Sequence, residues 1–196
     1  MGRLLLGKRL KNEAQLIDEA LAGDSAAFGQ LVVAHQDRLH NAVAHWLGSA
    51  DDAREITQDA FVQAFIKLKT FSRESAFYTW LYRIAFNLAI SRRRRRRPTF
   101  SLDGAKDESG VEPVSRLEGP SQTLERQERA SQVRAALDAL SDEHRAIVVL
   151  REINGCCYEA IAEILDLPVG TVRSRLHRAR LELKNLLKPV VEADAG

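Results

Sequence analysis

The sequence predicts an all-α protein built of two small helical domains joined by a flexible linker. Three observations carry that prediction. Apolar residues recur at spacings of three and four through the helices of the first half and again from residue 126 onward; the first half shows no strand-like alternation; and residues 98–125 lose periodicity while gaining Gly, Pro, Ser and acid. With 196 residues and 45% hydrophobic side chains, the chain has material for one mid-sized core or two small ones.

The elements follow in order. From Asp24 to about Leu47, the positions Phe28, Leu31, Val32, Leu39, Val43, Trp46 and Leu47 make one amphipathic stripe, with Asp24 or Ser25 suited to cap it. Gly48 and Ser49 break that helix. Asp51 and Asp52 favour the start of the next, whose inner stripe is Ile56, Ala60, Ala64 and Leu68. After the polar loop "SRESAF", the run "FYTWLYRIAFNLAISRR" predicts a third helix, with Trp80, Leu81, Ile84, Ala85 and Leu88 toward the core. The domains are placed at 13–97 and 126–188, and the linker at 98–125. Its 28 residues reach roughly 90 Å at ~3.3 Å per residue when fully extended.

Periodicity returns at Arg126. Ser141 can cap a helix whose N-terminus Asp142 and Glu143 complement, Gly155 suits the left-handed position that ends it, and the remainder splits into a short helix, a turn at Asp166 to Pro168 and a longer basic helix. That makes four helices in the second domain.

The net charge of +2 says little about partners, but its distribution says more. Residues 1–97 carry a local balance of +6, residues 98–125 one of −4, and residues 126–196 are neutral. Within the last segment, Arg173, Arg175, Arg178, Arg180, Lys184 and Lys188 stand against Glu182 alone over 168–188, the usual electrostatic footprint of a nucleic-acid contact. The adjacent Cys156 and Cys157 cannot form an unstrained disulfide with each other, which rules out a disulfide scaffold and fits a reducing cytosol; they read as a small apolar pair beside a helix end. The amino terminus has an apolar run of three leucines, too short for a signal-peptide core, and nothing later approaches a membrane span, so a soluble, cytoplasmic protein is expected.

The closing helix pair is the strongest local signal. A helix-turn-helix needs a small residue where the helices cross, apolar residues to fix their angle and polar side chains on the second helix for the major groove. Ala162 supplies the first, Ile161, Leu165, Val172 and Leu176 the second, and Arg173, Ser174, His177 and Arg178 the third. Asp166 stands at the turn where glycine is common and tolerates the left-handed conformation. The alternative reading of this segment is an amphipathic hairpin with a solvated basic face.

On these residues the chain resembles a family. "CYEAIAEILDLPVGTVRSRLHRAR", extended upstream by "LSDEHRAIVVLREINGCCYEAIA", is similar to region four of bacterial RNA polymerase sigma factors of the extracytoplasmic-function class. Independently, "DDAREITQDAFVQAFIKLKTF" and "SAFYTWLYRIAFNLAISRRRR" resemble the polymerase-binding and promoter-melting segments of region two. Two motif sets in the right order are more specific than either alone.

The resemblance implies roles. Asp52, Glu55, Gln58, Asp59 and Gln63 match the motif that binds the β′ clamp helices of core RNA polymerase; read without the resemblance, they would make a solvated acidic face. Lys69 to Ser75 looks like the loop that captures a base of the −10 element, which implies −10 contacts for Lys69 and Arg73. Phe77, Tyr78, Trp80, Tyr82 and Asn87 match the melting motif. Of these, Tyr78 and Asn87 are expected to face DNA together with Arg83, and Trp80 to belong to the core. For the −35 element, Arg173, Ser174, His177 and Arg178 match base-facing positions, and Thr171, Arg175 and Arg180 act as phosphate clamps or internal supports. The implied partners are core polymerase (its β′ clamp helices and β flap), promoter DNA and an anti-sigma protein, soluble or membrane-bound.

The run "SRRRRRRP" continues the third helix. Arg92 and Arg93, with the arginines up to Arg97, are expected to hold phosphates of melted DNA and so to add affinity rather than selectivity. No Gly-rich phosphate loop, zinc motif or nucleophile arrangement is present, so the chain reads as a non-enzyme without cofactor or metal that directs a polymerase. Two other classes stay open: a stand-alone helix-turn-helix regulator that binds duplex DNA without polymerase, and a nuclease or recombinase with a DNA-binding tail.

Overall fold

The computed structural model describes the backbone over residues 13–96 and 120–194, and side chains over 13–92 and 128–188. The expectations for the extreme amino terminus, for residues 98–119 and for the side chains of Arg93 to Arg97 lie outside the described residues. Among the described residues every regular element is helical.

In the first half, α1 spans 13–21 and α2 Ser25–Leu47. Asp24 caps α2, its carboxylate accepting from the backbone N–H groups of Ala26 (2.8 Å) and Ala27 (3.3 Å), which satisfies donors that the helix leaves free. Gly48 ends α2 at φ 73°. Its missing side chain also matters, because a Cβ there would come within 2.9 Å of an Asp138 carboxylate oxygen. Ser49 caps α3 (Ala50–Lys67), accepting from the Asp52 N–H at 3.3 Å. A single 3-10 turn, Leu68–Thr70, leads into the loop before α4 (Phe77–Arg96).

In the second half, α5 (Pro120–Ala139) begins at Pro120, ahead of the expected return of periodicity at Arg126. The last residues assigned to the linker are therefore helical, and proline suits such a start because its fixed φ is already that of a helix. Ser141 caps α6 (Asp142–Val148), which continues into a π turn at Val149–Ile153. Gly155, at φ 66°, lets the chain leave that turn. α7 is Tyr158–Leu165 and α8 is Val169–Asp194.

The two halves are packed together and share one continuous core. α4 lies against α2 and α3 on one side and against α7 on another. That is why Tyr82, Phe86 and Ala89 are as fully buried as Leu81 and Ala85, whereas Trp80, Ile84 and Leu88 are only partly covered. Trp46 packs its ring on Phe86 at 5.5 Å and is almost fully enclosed. Truncating such a side chain to alanine costs about 3–5 kcal/mol.

Arg145 fastens the seam. It is only 3% exposed, a rare position for a charged group. Its guanidinium donates to the carbonyls of Trp46 (3.2 Å), Asp138 (2.5 Å) and Leu140 (3.4 Å) and pairs with the Asp138 carboxylate at 2.9 Å. These carbonyls stand at the C-terminal ends of α2 and α5, where helices leave acceptors unsatisfied and the dipole is negative. The Trp46 indole N–H returns a bond to the Asp142 carbonyl at 3.2 Å.

His45, in the last turn of α2, has its pKa lowered by burial and then by the charge of Arg134 on α5. A folded-state pKa below the unfolded ~6.5 means that the unfolded chain binds more protons in between, so the contribution is complete above ~6.5 and is lost as the pH falls. His45→Gln is therefore expected to flatten the loss of stability between neutral and mildly acidic pH. Denaturant titrations at a series of pH values check this.

Candidate nucleic-acid interface

α7 and α8 form the expected helix-turn-helix. Ile161, Val172 and Leu176 are buried between them, with Ala162 and Leu165 partly covered. Asp166 makes the turn in the left-handed region, φ 54° and ψ 54°, which aspartate accepts more readily than most residues. Thr171 donates its backbone N–H to the Pro168 carbonyl at 2.9 Å, starting α8.

The burial of Val172, Leu176 and Ala179 turns the opposite face of α8 outward, and Arg173, Ser174, His177 and Arg178 are all exposed on it. The other predicted residues have local duties. Arg175 pairs with Glu143 of α6 at 2.8 Å, and the half-buried Thr171 accepts a bond at its carbonyl from the Ser174 hydroxyl at 3.1 Å. Arg180 donates from Nε (2.9 Å) and Nη2 (2.6 Å) to one oxygen of Glu152. Arg175 and Arg180 thus fasten α8 to the preceding elements. Sequence reading missed Tyr158, whose ring takes Arg151 at 5.0 Å and Arg173 at 5.8 Å, cation–π contacts that link Arg173 to the start of α7.

The second basic face lies on α4. Arg83 and Asn87 are exposed on one stripe with Ile90. Tyr78 is half-buried under the Arg38 guanidinium at 5.1 Å and meets Tyr82 edge-on at 6.2 Å. Trp80 is partly buried and packs its ring, tilted, on Phe71 (5.3 Å) and Phe77 (5.8 Å) at the margin of the core rather than inside it. In the loop, Lys69 is exposed, while Arg73 takes a left-handed conformation (φ 62°) and pairs with Asp18 of α1. Arg92 does not extend the stripe: it turns back to Asp52 at 3.2 Å and to Glu55. It therefore sits with the α3 acids.

α3 carries a third surface. Ala53, Ile56, Thr57, Ala60, Phe61 and Ala64 are buried, so the rest of the circumference faces outward at 3.6 residues per turn. Asp52, Asp59 and Gln63 line one edge of that arc and Gln58 and Phe65 the other, with Glu55, Val62 and Ile66 between them. Val62 is 52% exposed, Phe65 51% and Ile66 66%. Beside them a groove of about 660 Å³ runs between α2 and α3, lined by Phe28, Val32, His40, Thr57, Phe61 and Phe65. The buried Thr57 hydroxyl has no hydrogen-bond partner among the described residues. The expected acidic face is thus acidic and apolar together. The signal lay in "AFVQAFIKL", whose Val62, Phe65 and Ile66 fall outside the inner stripe.

Among the described residues no cluster of His, Cys, Asp or Glu can hold a metal ion, and no helix is long and apolar enough to cross a membrane. One helix-turn-helix with an exposed basic face, a second basic helix rooted in aromatic residues and an exposed apolar–acidic face together have the form of an all-helical DNA-binding protein.

Comparison with known proteins makes the assignment specific. Residues 31–99 match sigma-70 region 2, and residues 130–183 match sigma-70 region 4. The RNA polymerase sigma-H factor of Pseudomonas aeruginosa is 36% identical over 186 residues, 92% of this chain and 96% of that protein. The ECF RNA polymerase sigma-E factor of Escherichia coli (strain K12) is 35% identical over 181 residues, 90% and 94% of the two chains. CnrH, solved in complex with the cytosolic domain of CnrY, superposes with a TM-score of 0.68 at 29% identity, covering 91% of this chain and 98% of its own. The sigma factor RpoE of Bartonella quintana, solved with the anti-sigma factor NepR, gives 0.62 at 25% identity, covering 82% and 96%. The chain belongs to the sigma-70 family of RNA polymerase sigma factors, in its extracytoplasmic-function group.

Proposed function

We propose that this chain binds core RNA polymerase, opens the −10 element with its first half and reads the −35 element with its second. The observation that carries this reading is the match, on one chain, to sigma-70 regions 2 and 4, together with an exposed apolar–acidic surface on α3. A stand-alone DNA-binding regulator that used the helix-turn-helix alone would leave the match to sigma-70 region 2 without a role. The division into residues 13–97 as region two, 98–125 as connector and 126–188 as region four follows from the same reading.

The residues take the following roles. Asp52, Glu55, Gln58, Asp59 and Gln63 meet the β′ clamp helices, with Val62, Phe65 and Ile66 supplying the apolar part of the contact; region four meets the β flap. Lys69, Arg73, Tyr78, Arg83 and Asn87 engage the −10 strand, where an extruded base needs a stacking partner and a cationic surface. Arg92 and Arg93 add phosphate contacts once Arg92 leaves Asp52 and Glu55. Arg173, Ser174, His177 and Arg178 face bases of the −35 duplex, with Thr171 and Arg175 beside them. The chemistry of transcription belongs to the polymerase, and the chain supplies no catalytic group. The sigma factor RpoE of Bartonella quintana, solved with the anti-sigma factor NepR, supports an anti-sigma protein as a further partner.

The reading is tested by polymerase binding. Asp59→Arg is expected to weaken association with core polymerase by about 1 kcal/mol, roughly fivefold, with helix content unchanged. Titration of labelled chain with core enzyme checks it, and equal affinity would contradict the assignment of α3.

A further inference from the structure

We propose that residues 3–10 of this chain dock into the groove between α2 and α3, with Leu4, Leu5 and Leu6 on its apolar floor, and so cover part of the α3 face in the free chain. The docking is independent of the initiation reading; its consequence for polymerase rests on that reading.

The groove calls for a cover that is apolar and brings a hydrogen-bonding group. Phe28 and Phe61 are buried along it, Phe65 meets Phe28 edge-on at 5.0 Å, and Val62, Phe65 and Ile66 each keep more than half of their surface exposed. Thr57 lines the same groove at 8% exposure, and its hydroxyl has no hydrogen-bond partner among the described residues. A buried hydroxyl without a partner costs free energy. A carbonyl or N–H of backbone laid along the groove completes it, as an aliphatic side chain cannot.

Composition, charge and reach all favour the chain's own beginning as the occupant. The stretch "RLLLGKRL" sets three consecutive leucines between Arg3 and the pair Lys8 and Arg9, and residues 1–12 hold four basic side chains and no acidic one. The groove carries Asp37 on its α2 wall, and Asp59 stands one turn from Val62 on the α3 arc. Leucines on the floor with cations beside these carboxylates match both features at once.

The attachment point is close. Glu13, the first described residue, is bonded to His35 of α2 at 3.0 Å, and His35 stands one residue from Gln36 and three from Val32, which both line the groove. Leu4 to Leu10 precede Glu13 by nine to three residues, a reach of ~10–30 Å at ~3.3 Å per residue. The α2 wall from Phe28 to His40 runs only ~18 Å at ~1.5 Å per residue. Attachment to α1 also gives the segment an effective concentration on the order of millimolar, so a contact of modest strength suffices.

Val62, Phe65 and Ile66 are then shared between the docked segment and the polymerase contact, and one must displace the other. If the segment is docked in about four fifths of free molecules, the apparent affinity for core polymerase is about fivefold below that of a chain whose segment cannot dock.

The test uses the full chain. In a Cys157→Ser background, which leaves the buried Cys156 as the other thiol, Gly7→Cys carries a nitroxide beside the leucine run. The methyl signals of Val32, Val62 and Ile66 are expected to lose at least about half of their intensity relative to the reduced label, while those of the exposed Leu181 on α8 are kept. Unchanged groove signals overturn the inference. The same loss in a mixture of spin-labelled chain and separately isotope-labelled chain places a second copy in the groove and overturns it as well. The consequence for polymerase is read separately: Leu4→Ser with Leu5→Ser and Leu6→Ser is expected to bind core enzyme about fivefold more tightly than the unchanged chain. Equal affinity overturns the competition, whereas failure of both chains to bind core overturns the initiation reading and leaves the docking to the spin-label result.

Discussion

Arg178→Ala is expected to weaken recognition of the −35 element by ~1–3 kcal/mol, about 5- to 150-fold, while leaving binding to unrelated duplex nearly unchanged. The expectation follows from where α8 puts its charges. Arg175 and Arg180 are tied to Glu143 and Glu152, whereas Arg178 stands exposed on the outer face with His177 and Ser174. A guanidinium there can offer two parallel donors to a guanine edge, the commonest base-specific contact in the major groove. Arg173, exposed on the same helix and lying over the Tyr158 ring, is expected to behave similarly. The measurement is competition of holoenzyme binding between the cognate promoter and a scrambled −35 sequence. Equal loss on both would make the contact one to phosphate.

Val62→Asp combined with Ile66→Asp is expected to lower affinity for core polymerase by at least ~2 kcal/mol, roughly thirtyfold. Both side chains are more than half exposed, so neither substitution opens a cavity, and the stability of the free chain should hold within ~0.5 kcal/mol. An apolar patch flanked by acids is the form of a protein-docking site, with a dry centre and a polar rim. Charges placed at that centre stay unpaired when a partner covers them. Equilibrium titration with core enzyme, beside a denaturation curve of the free variant, separates binding from folding.

Much of the local structure was legible in the sequence. Asp24, Ser49 and Ser141 cap the helices where the sequence placed caps or breaks, Gly48 and Gly155 sit at positive φ, and Asp166 turns the helix-turn-helix. These features depend on neighbours a few residues apart, which a sequence displays directly. The outer face of α8 was legible for the same reason, since burial of Val172, Leu176 and Ala179 leaves it no other side.

What stayed hidden depends on partners distant in the chain. Periodicity shows that a helix has an inner face, not how many neighbours cover it. α4 has apolar or aromatic residues nearly all round, and it buries Tyr82 and Phe86 as well as Leu81 because the second half packs on it too. Arg145 looks like a surface residue until α2 and α5 both end beside it and present their carbonyls. Arg92 belonged by sequence to the arginine run, yet one helical register brings it to Asp52 and Glu55. Linker composition likewise said nothing about contact between the halves.

A chain that chooses where polymerase starts must change the map of transcript 5′ ends. Core RNA polymerase, with and without the full chain, should be supplied with genomic DNA from the organism that encodes it, and the 5′ ends of the transcripts sequenced. A set of start sites is expected that appears only with the chain and shares two upstream elements at fixed spacing, near −35 and −10. The same start sites with and without the chain would contradict it.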